Sequence, residues 1–260
     1  MIGQVALLNK LNSYTLETLP KASILIGECG SGKHTVANNL AAALGLKLVE
    51  LTNSLSDEEL IEYQYGVSPT LYIINISTFS EKQQNQLLKL IEEPSKYMYI
   101  ILLAESENSI IQTILNRCIK FYFEEYTIDE LKQIKLFDNE SIYYICKTPG
   151  QLLDIDDTNI DKLFNLCTTI SKKLQVASFA NTLSISTKLN YKEDYDKFNI
   201  NLFFNALLYI SKQEYIKTNS DINFMLYTIT KKYKQKLSLP AVNKENLVLS
   251  FLCELANICK

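Results

Sequence analysis

Arginine is almost missing from this 260-residue chain: of its 26 basic residues only Arg117 carries a guanidinium, and all the others are lysine. Histidine is reduced to His34. Glycine is scarce as well, seven in all, which makes the grouping of Gly27, Gly30 and Gly32 conspicuous. The formal net charge of -3 provides no overall basic field. Any contact with nucleic acid therefore has to come from a local patch or be shared with partner chains. The six cysteines (Cys29, Cys118, Cys146, Cys167, Cys253 and Cys259) include no CxxC pair, and most have apolar neighbours. Buried free thiols in a reducing compartment, and no zinc, are the expectation. The opening MIGQVALLNKLN lacks the continuous apolar core of a signal peptide, and no apolar run approaches membrane-spanning length. These absences predict a soluble, cytoplasmic protein without a membrane partner. A hydrophobic content of 47% allows one to three globular domains.

Residues 1–125 alternate strand-like and helix-like segments. KASILIG is a short apolar run ending in Gly27, and HTVANNLAAALG has apolar residues at helical spacing before a glycine stop. LKLVEL and PTLYIINI read as strands. SEKQQNQLLKLIEEP reads as a helix with an N-cap serine, ending before Pro94. KYMYIILLAE, IIQTILNRC and IKFYF continue as strand, short helix and strand. The alternation predicts an α/β domain, a parallel sheet with helices on both faces. Residues 126–157 read as three short helices forming a small lid, the third beginning near Pro149. From 158 to 260 only helices are expected, with apolar stripes that suit a bundle. STKLNYKEDYDKF is the most polar break and the expected loop, and there are no repeats or low-complexity tracts.

The chemistry starts at the turn from the first strand into the first long helix, where Gly27, Glu28, Cys29, Gly30, Ser31, Gly32 and Lys33 spell GECGSGK. This fits G-x-x-x-x-G-K, a loop whose backbone N–H groups cradle phosphates while the lysine reaches toward the β and γ phosphates. The alternative is an incidental turn, and the strand-loop-helix setting weighs against it. The next position should carry Ser or Thr as a Mg²⁺ ligand, but it is His34, a poor match for a hard, oxygen-preferring ion. Thr35 follows, turned by about 100° around the helix. The bland reading of His34 is a helix-surface histidine beside the phosphates. ATP or ADP is therefore expected at Gly27–Thr35, with Mg²⁺ held weakly or not at all. The acids that would hold the metal and orient water belong at the end of TLYIINISTFS, where Asn75 and Ile76 stand instead. Glu81 and Glu105 are the nearby carboxylates that could substitute.

The stretches YIINISTFSEKQQNQLLKLIEEP, YIILLAESEN and ILNRC resemble the AAA+ core of sliding-clamp loader subunits. Asn85, Leu87, Leu88, Lys89, Glu92, Glu93 and Pro94 match that family's helix motif, and Arg117-Cys118 match its Ser-Arg-Cys motif, with Asn116 in place of the serine. The resemblance covers roughly residues 1–155. It implies a P-loop AAA+ domain, a helical lid and a collar-like C-terminal helical domain. It also implies membership of a hetero-oligomer with other clamp loader subunits, serving a sliding clamp and, through the complex, primer-template DNA. Arg117 would act catalytically in trans, as an arginine finger at a neighbour's ATP. The lid's sensor arginine is missing, its place falling near Leu153, and the zinc-binding insertion common in bacterial relatives is absent.

Other readings remain beside this one. Arg117 alone could be a helix-end arginine capping carbonyls or pairing with Glu124 or Glu125. An autonomous AAA+ ATPase would need Glu81 or Glu105 in the acidic role. A P-loop kinase usually needs several phosphate-clamping arginines, and one is present. Lys231, Lys232, Lys234 and Lys236 read more readily as a solvated face than as a DNA contact.

Overall fold

The run ASILI carries one serine among apolar residues, and all five positions are buried, as a strand covered on both faces requires. In the computed structural model it forms β1, Ala22–Ile26. Described are residues 2–51, 65–155, 157–175, 200–237, 239 and 242–258. The polar break STKLNYKEDYDKF lies outside them. Two compact units emerge, with the division between Tyr126 and Thr127.

The first unit is built on a five-stranded sheet in the order β2-β3-β4-β1-β5, with β2 at Lys47–Leu51, β3 at Thr70–Asn75, β4 at Met98–Ala104 and β5 at Ile119–Tyr122. Every pairing is parallel. Side chains alternate between faces along a strand, and two apolar layers result. Ile24, Ile26, Ile74, Ile100 and Leu102 join one layer with Leu87, Leu90 and Ile91 of α3 (Glu81–Glu92) and with Ile114 and Leu115 of α4 (Gln112–Leu115). Leu25, Ile73, Ile101 and Leu103 join the other with Leu7 and Leu11 of α1 (Val5–Asn12) and with Val36, Ala37, Leu40 and Ala41 of α2 (Lys33–Leu44). β2 and β5 are edge strands with mixed exposure.

Local chemistry sets the helix ends. α3 opens with a capping box: Ser80 Oγ accepts from Gln83 N–H, and the Gln83 side chain accepts from Ser80 N–H. α2 closes at Gly45, whose φ of 65° suits a residue without Cβ. Gln4, before α1, has a φ of 57° and is buried. Its amide donates to Glu124 O and accepts from Glu124 N–H, tying the N-terminal turn to the end of the sheet.

The second unit is helical. Thr127 and Glu130 form a capping box on α5 (Ile128–Lys132), and α6 (Ser141–Ile145) and α7 (Pro149–Leu153) follow, α7 with proline in its first turn. The longer helices are α8 (Asp157–Gln175), α9 (Ile200–Thr218), α10 (Asp221–Lys236) and α11 (Lys244–Ile258). The short helices pack on the long ones: Asn205 of α9 donates to Ile145 O, and Tyr144 stacks on Tyr209. Phe204, Phe251 and Tyr233 form an edge-to-face aromatic core between α9, α10 and α11.

Candidate functional site

A parallel sheet gathers the carboxyl ends of its strands on one rim, where α/β proteins place ligands. Register puts Ile26 beside Ala104 and Asn75 beside Leu103. Gly27, Asn75 and Glu105 therefore share that rim. The loop Gly27–Lys33 leaves β1 there and runs into α2. Gly27 N–H donates to Ala104 O, and a Cβ on Gly27 would lie 2.7 Å from Phe123 Cβ, so only glycine fits. Gly30 and Gly32 have φ values of 79° and 93°, in the left-handed region glycine favours. Gly32 precedes α2 with no side-chain cap, so the first N–H groups of the helix keep their donor capacity toward the loop's concave side. Ser31 is buried, and its Oγ has no hydrogen-bond partner among the described residues. Its carbonyl accepts from the Tyr126 hydroxyl at 2.8 Å, which braces the loop from behind. An orphaned hydroxyl and two left-handed glycines before an uncapped helix fit a polyphosphate.

Lys33 is turned onto the loop itself, with Nζ donating to Gly27 O at 2.5 Å and to Glu28 O at 2.8 Å. Burial draws this ammonium below the usual lysine range, opposed by its nearby Cys29, Glu105 and Glu28. Cys29 is exposed on the loop, and so is Cys253, while Cys146 and Cys167 are buried; the expectation of buried thiols holds only for part of the set. Burial pushes the Cys118 and Cys146 thiols up to about 12.

The residues do not fit a firmly held Mg²⁺. His34 Nε2 lies 3.2 Å from Glu50 Oε1 on β2, and its Nδ1 lies 3.2 Å from Asn38 Nδ2. Glu50 and Asn38 thus flank the two ring nitrogens. Both ring nitrogens are thereby used. Thr35 is exposed on the helix. Asn75 is exposed at the end of β3 and offers an amide, and Ile76 is fully buried in the apolar layer under α3. Of the candidate substitute acids, Glu81 sits in the first turn of α3. Glu105 is close enough to Lys33 to act on its charge, and its N–H donates to Ser77 Oγ. Among the described residues no group of three or more His, Cys, Asp or Glu side chains could hold a metal.

Arg117 follows α4 and is held within its own unit. Its Nε contacts Glu92 Oε1 at 2.7 Å, and its Nη1 donates to Thr113 O at 2.9 Å. Neither Glu124 nor Glu125 is its partner; the acid comes from the last turn of α3. The Arg117 side chain remains 41% exposed. Gln84, which carries no sequence signal beyond its polarity on a helix, is completely buried. Its amide donates to Phe79 O and Ser109 O and accepts from Ile111 N–H. It thus fastens α3 to the segment that leads into α4 and Arg117. In the second unit, Leu153 is exposed on α7. Lys232 is engaged by Glu254 of α11 at 2.7 Å, and Lys236 lies over the Tyr233 ring, so these two lysines of the basic cluster have partners within the chain.

Residues 50–127 match the family model described as "DNA polymerase III, delta subunit". The DNA polymerase III subunit delta' of Buchnera aphidicola subsp. Baizongia pistaciae is 30% identical over 113 residues, covering 42% of this chain and 32% of the relative. The gamma/tau subunit of Mycoplasma pneumoniae is 26% identical over 156 residues, covering 47% of this chain and 23% of the relative. The matched stretch thus spans about a third of the first relative and about a quarter of the second. Among solved structures, the Thermotoga maritima RuvB Holliday junction branch migration motor superposes with a TM-score of 0.47 at 21% identity, covering 64% of this chain and 63% of that one. A gamma subunit-related protein of Thermotoga maritima gives 0.43 at 15% identity, covering 97% and 99%. Over part of its length, this parallel-sheet chain with a glycine loop is similar to the delta prime and gamma/tau subunits of DNA polymerase III.

Proposed function

We propose that this chain is a delta prime-like subunit of a sliding-clamp loader in DNA replication, that it binds ATP or ADP without hydrolysing it, and that Arg117 acts in trans on nucleotide held by a neighbouring subunit. The observation that carries the reading is the end of β3, where a fully buried Ile76 and an exposed Asn75 stand beside a well-formed phosphate loop. Binding and hydrolysis make different demands. The loop's N–H groups and Lys33 can hold a polyphosphate, but a carboxylate is needed to fix the metal and orient water. Bound nucleotide would supply a polyanion to be gripped; this chain's residues would bind it and keep it. Arg117 suits the neighbour's site because a guanidinium is always charged and presents its donors in a rigid fork matched to phosphate oxygens. The partners in this reading are the other loader subunits in a hetero-oligomer and the sliding clamp, with primer-template DNA reached through the complex.

One experiment separates the parts. Steady-state ATPase of the purified chain is expected to equal that of Lys33→Ala, and metal-dependent turnover well above that control would overturn the hydrolysis-defective assignment. In a complex reconstituted with ATP-hydrolysing loader subunits, Arg117→Ala is expected to assemble normally and to lower clamp- and DNA-stimulated hydrolysis severalfold. Arginine fingers in GTPases contribute about 10³–10⁵, an upper bound where other sites keep their own arginines. Normal hydrolysis by the Ala complex would reduce Arg117 to a cap on the Thr113 carbonyl.

A second reading, an autonomous ATPase, has one observation in its favour: Glu105 stands on the site's rim and acts on Lys33. Turnover by the isolated chain that vanishes in Glu105→Gln would establish it.

A further inference from the structure

Resting on the trans role of Arg117, we propose that Glu92 is the positioning residue for that arginine: it holds the guanidinium by one edge so that the remaining donors are presented, already oriented, to phosphate on a neighbouring subunit. The geometry is specific. Arginine has five N–H donors. Nε lies 2.7 Å from Glu92 Oε1 in an ion pair, and one Nη1–H donates to the Thr113 carbonyl at 2.9 Å. Three donors on the two Nη atoms have no partner among the described residues. One contact would leave the side chain free to swing about it, whereas an ion pair at Nε and a hydrogen bond at Nη1 together restrict the plane of the fork.

The two anchors come from separate elements. Thr113 lies on α4, four residues before the arginine, and moves with it. Glu92 ends α3. The fork's plane is therefore referenced to the helix that follows β3, not only to its own turn. Gln84 stiffens the relation between the two helices through its three bonds to Phe79, Ser109 and Ile111. The contact is also exchangeable: both side chains are a little over 40% exposed, and an ion pair open to water is weak. Glu92 can thus direct the guanidinium without neutralising it, because a phosphate carries more charge than the carboxylate and meets other N–H groups.

Long, flexible arginine side chains lose much rotamer freedom on fixing, and a misplacement of about 1 Å at a reacting centre costs up to about 10²-fold in rate. Glu92→Ala should therefore lower the stimulated ATPase of the reconstituted loader complex by up to about tenfold, within that limit. Glu92→Gln should recover part of the loss, since its amide oxygen can occupy the same place beside Nε without the charge.

The decisive measurement is a double-mutant cycle in the complex, with thermal melts of each chain to confirm folding. If Glu92 works through Arg117, Glu92→Ala made on top of Arg117→Ala has no further effect on hydrolysis. Two results overturn the inference while leaving the finger intact: a Glu92→Ala complex as active as wild type or more so, or a Glu92→Ala loss that persists in full in the Arg117→Ala background. If Arg117→Ala itself is silent, the trans role fails, and that outcome is recognised separately from the other two.

Discussion

Ile76 shows how much one side chain can decide. In a metal-dependent site its position would carry a carboxylate, yet here it is completely buried with Ile74, Phe79 and Leu87. Its apolar character serves the core and leaves that position without an acid. Asn75, one residue earlier, is exposed at the strand's end. The two positions therefore respond differently to substitution. Asn75→Asp is tolerated by the fold and is expected to tighten Mg²⁺-nucleotide binding, read by titration calorimetry. Ile76→Glu places an unpaired carboxylate in the apolar layer and is expected to cost roughly 3–5 kcal/mol, read as a lowered denaturation midpoint. A stable Ile76→Glu chain would mean that the end of β3 opens more easily than its burial implies. Residue identity alone conveyed the loss of the acids; that Ile76 had been recruited into the core could be seen only once α3 lay across the strand.

Among the elements, the strands were the most legible. β1, β3 and β4 are covered on both faces, so they read as uninterrupted apolar runs, and the glycines at Gly27, Gly30 and Gly32 mark the turn that follows β1. The contacts that aim the candidate site were not legible. Glu92 reaches Arg117, Gln84 reaches Ser109 and Ile111, and Gln4 reaches Glu124 only because helices and strands distant in sequence pack together. No local period announces such pairs, and α1 itself carried no strong cap or motif.

The junction of α10 and α11 is a further case, and it is sensitive to pH. Glu254 accepts from Lys232 Nζ and from the Tyr233 hydroxyl, and these contacts, Lys232 first, hold its carboxyl below the usual glutamate range. A depressed carboxyl pKa contributes stability above its unfolded value, and that contribution is lost as pH falls through the folded value. Between neutral pH and about pH 3, wild type should therefore lose more stability than Glu254→Gln, by about 1 kcal/mol, as expected for a partly exposed ionic contact. Melting temperatures of both chains across that range check it. Parallel acid profiles would show that the clip contributes nothing.

For the whole molecule, both apolar layers of the sheet belong to the first unit, extending from Leu7 to Phe121, with Phe123 packed against the layer that includes α1 and α2. The unit carries its own core in full. A fragment of residues 1–126 is accordingly expected to melt in one cooperative transition and to give a dispersed amide spectrum. A fragment that binds hydrophobic dye and melts without a transition would show that the helices after Tyr126 are needed to complete it.

Lys33 gives the loop a different kind of property. Its ammonium is bonded to the carbonyl oxygens of Gly27 and Glu28, part of the same turn that would cradle a phosphate. The chain thus carries its own competitor, tethered and always at high local concentration. A nucleotide bound there would gain the lysine only after these two bonds are exchanged, so its apparent affinity would be the intrinsic affinity multiplied by the fraction of time the lysine is released. Substitutions that loosen the turn's carbonyls could tighten nucleotide binding without touching the nucleotide.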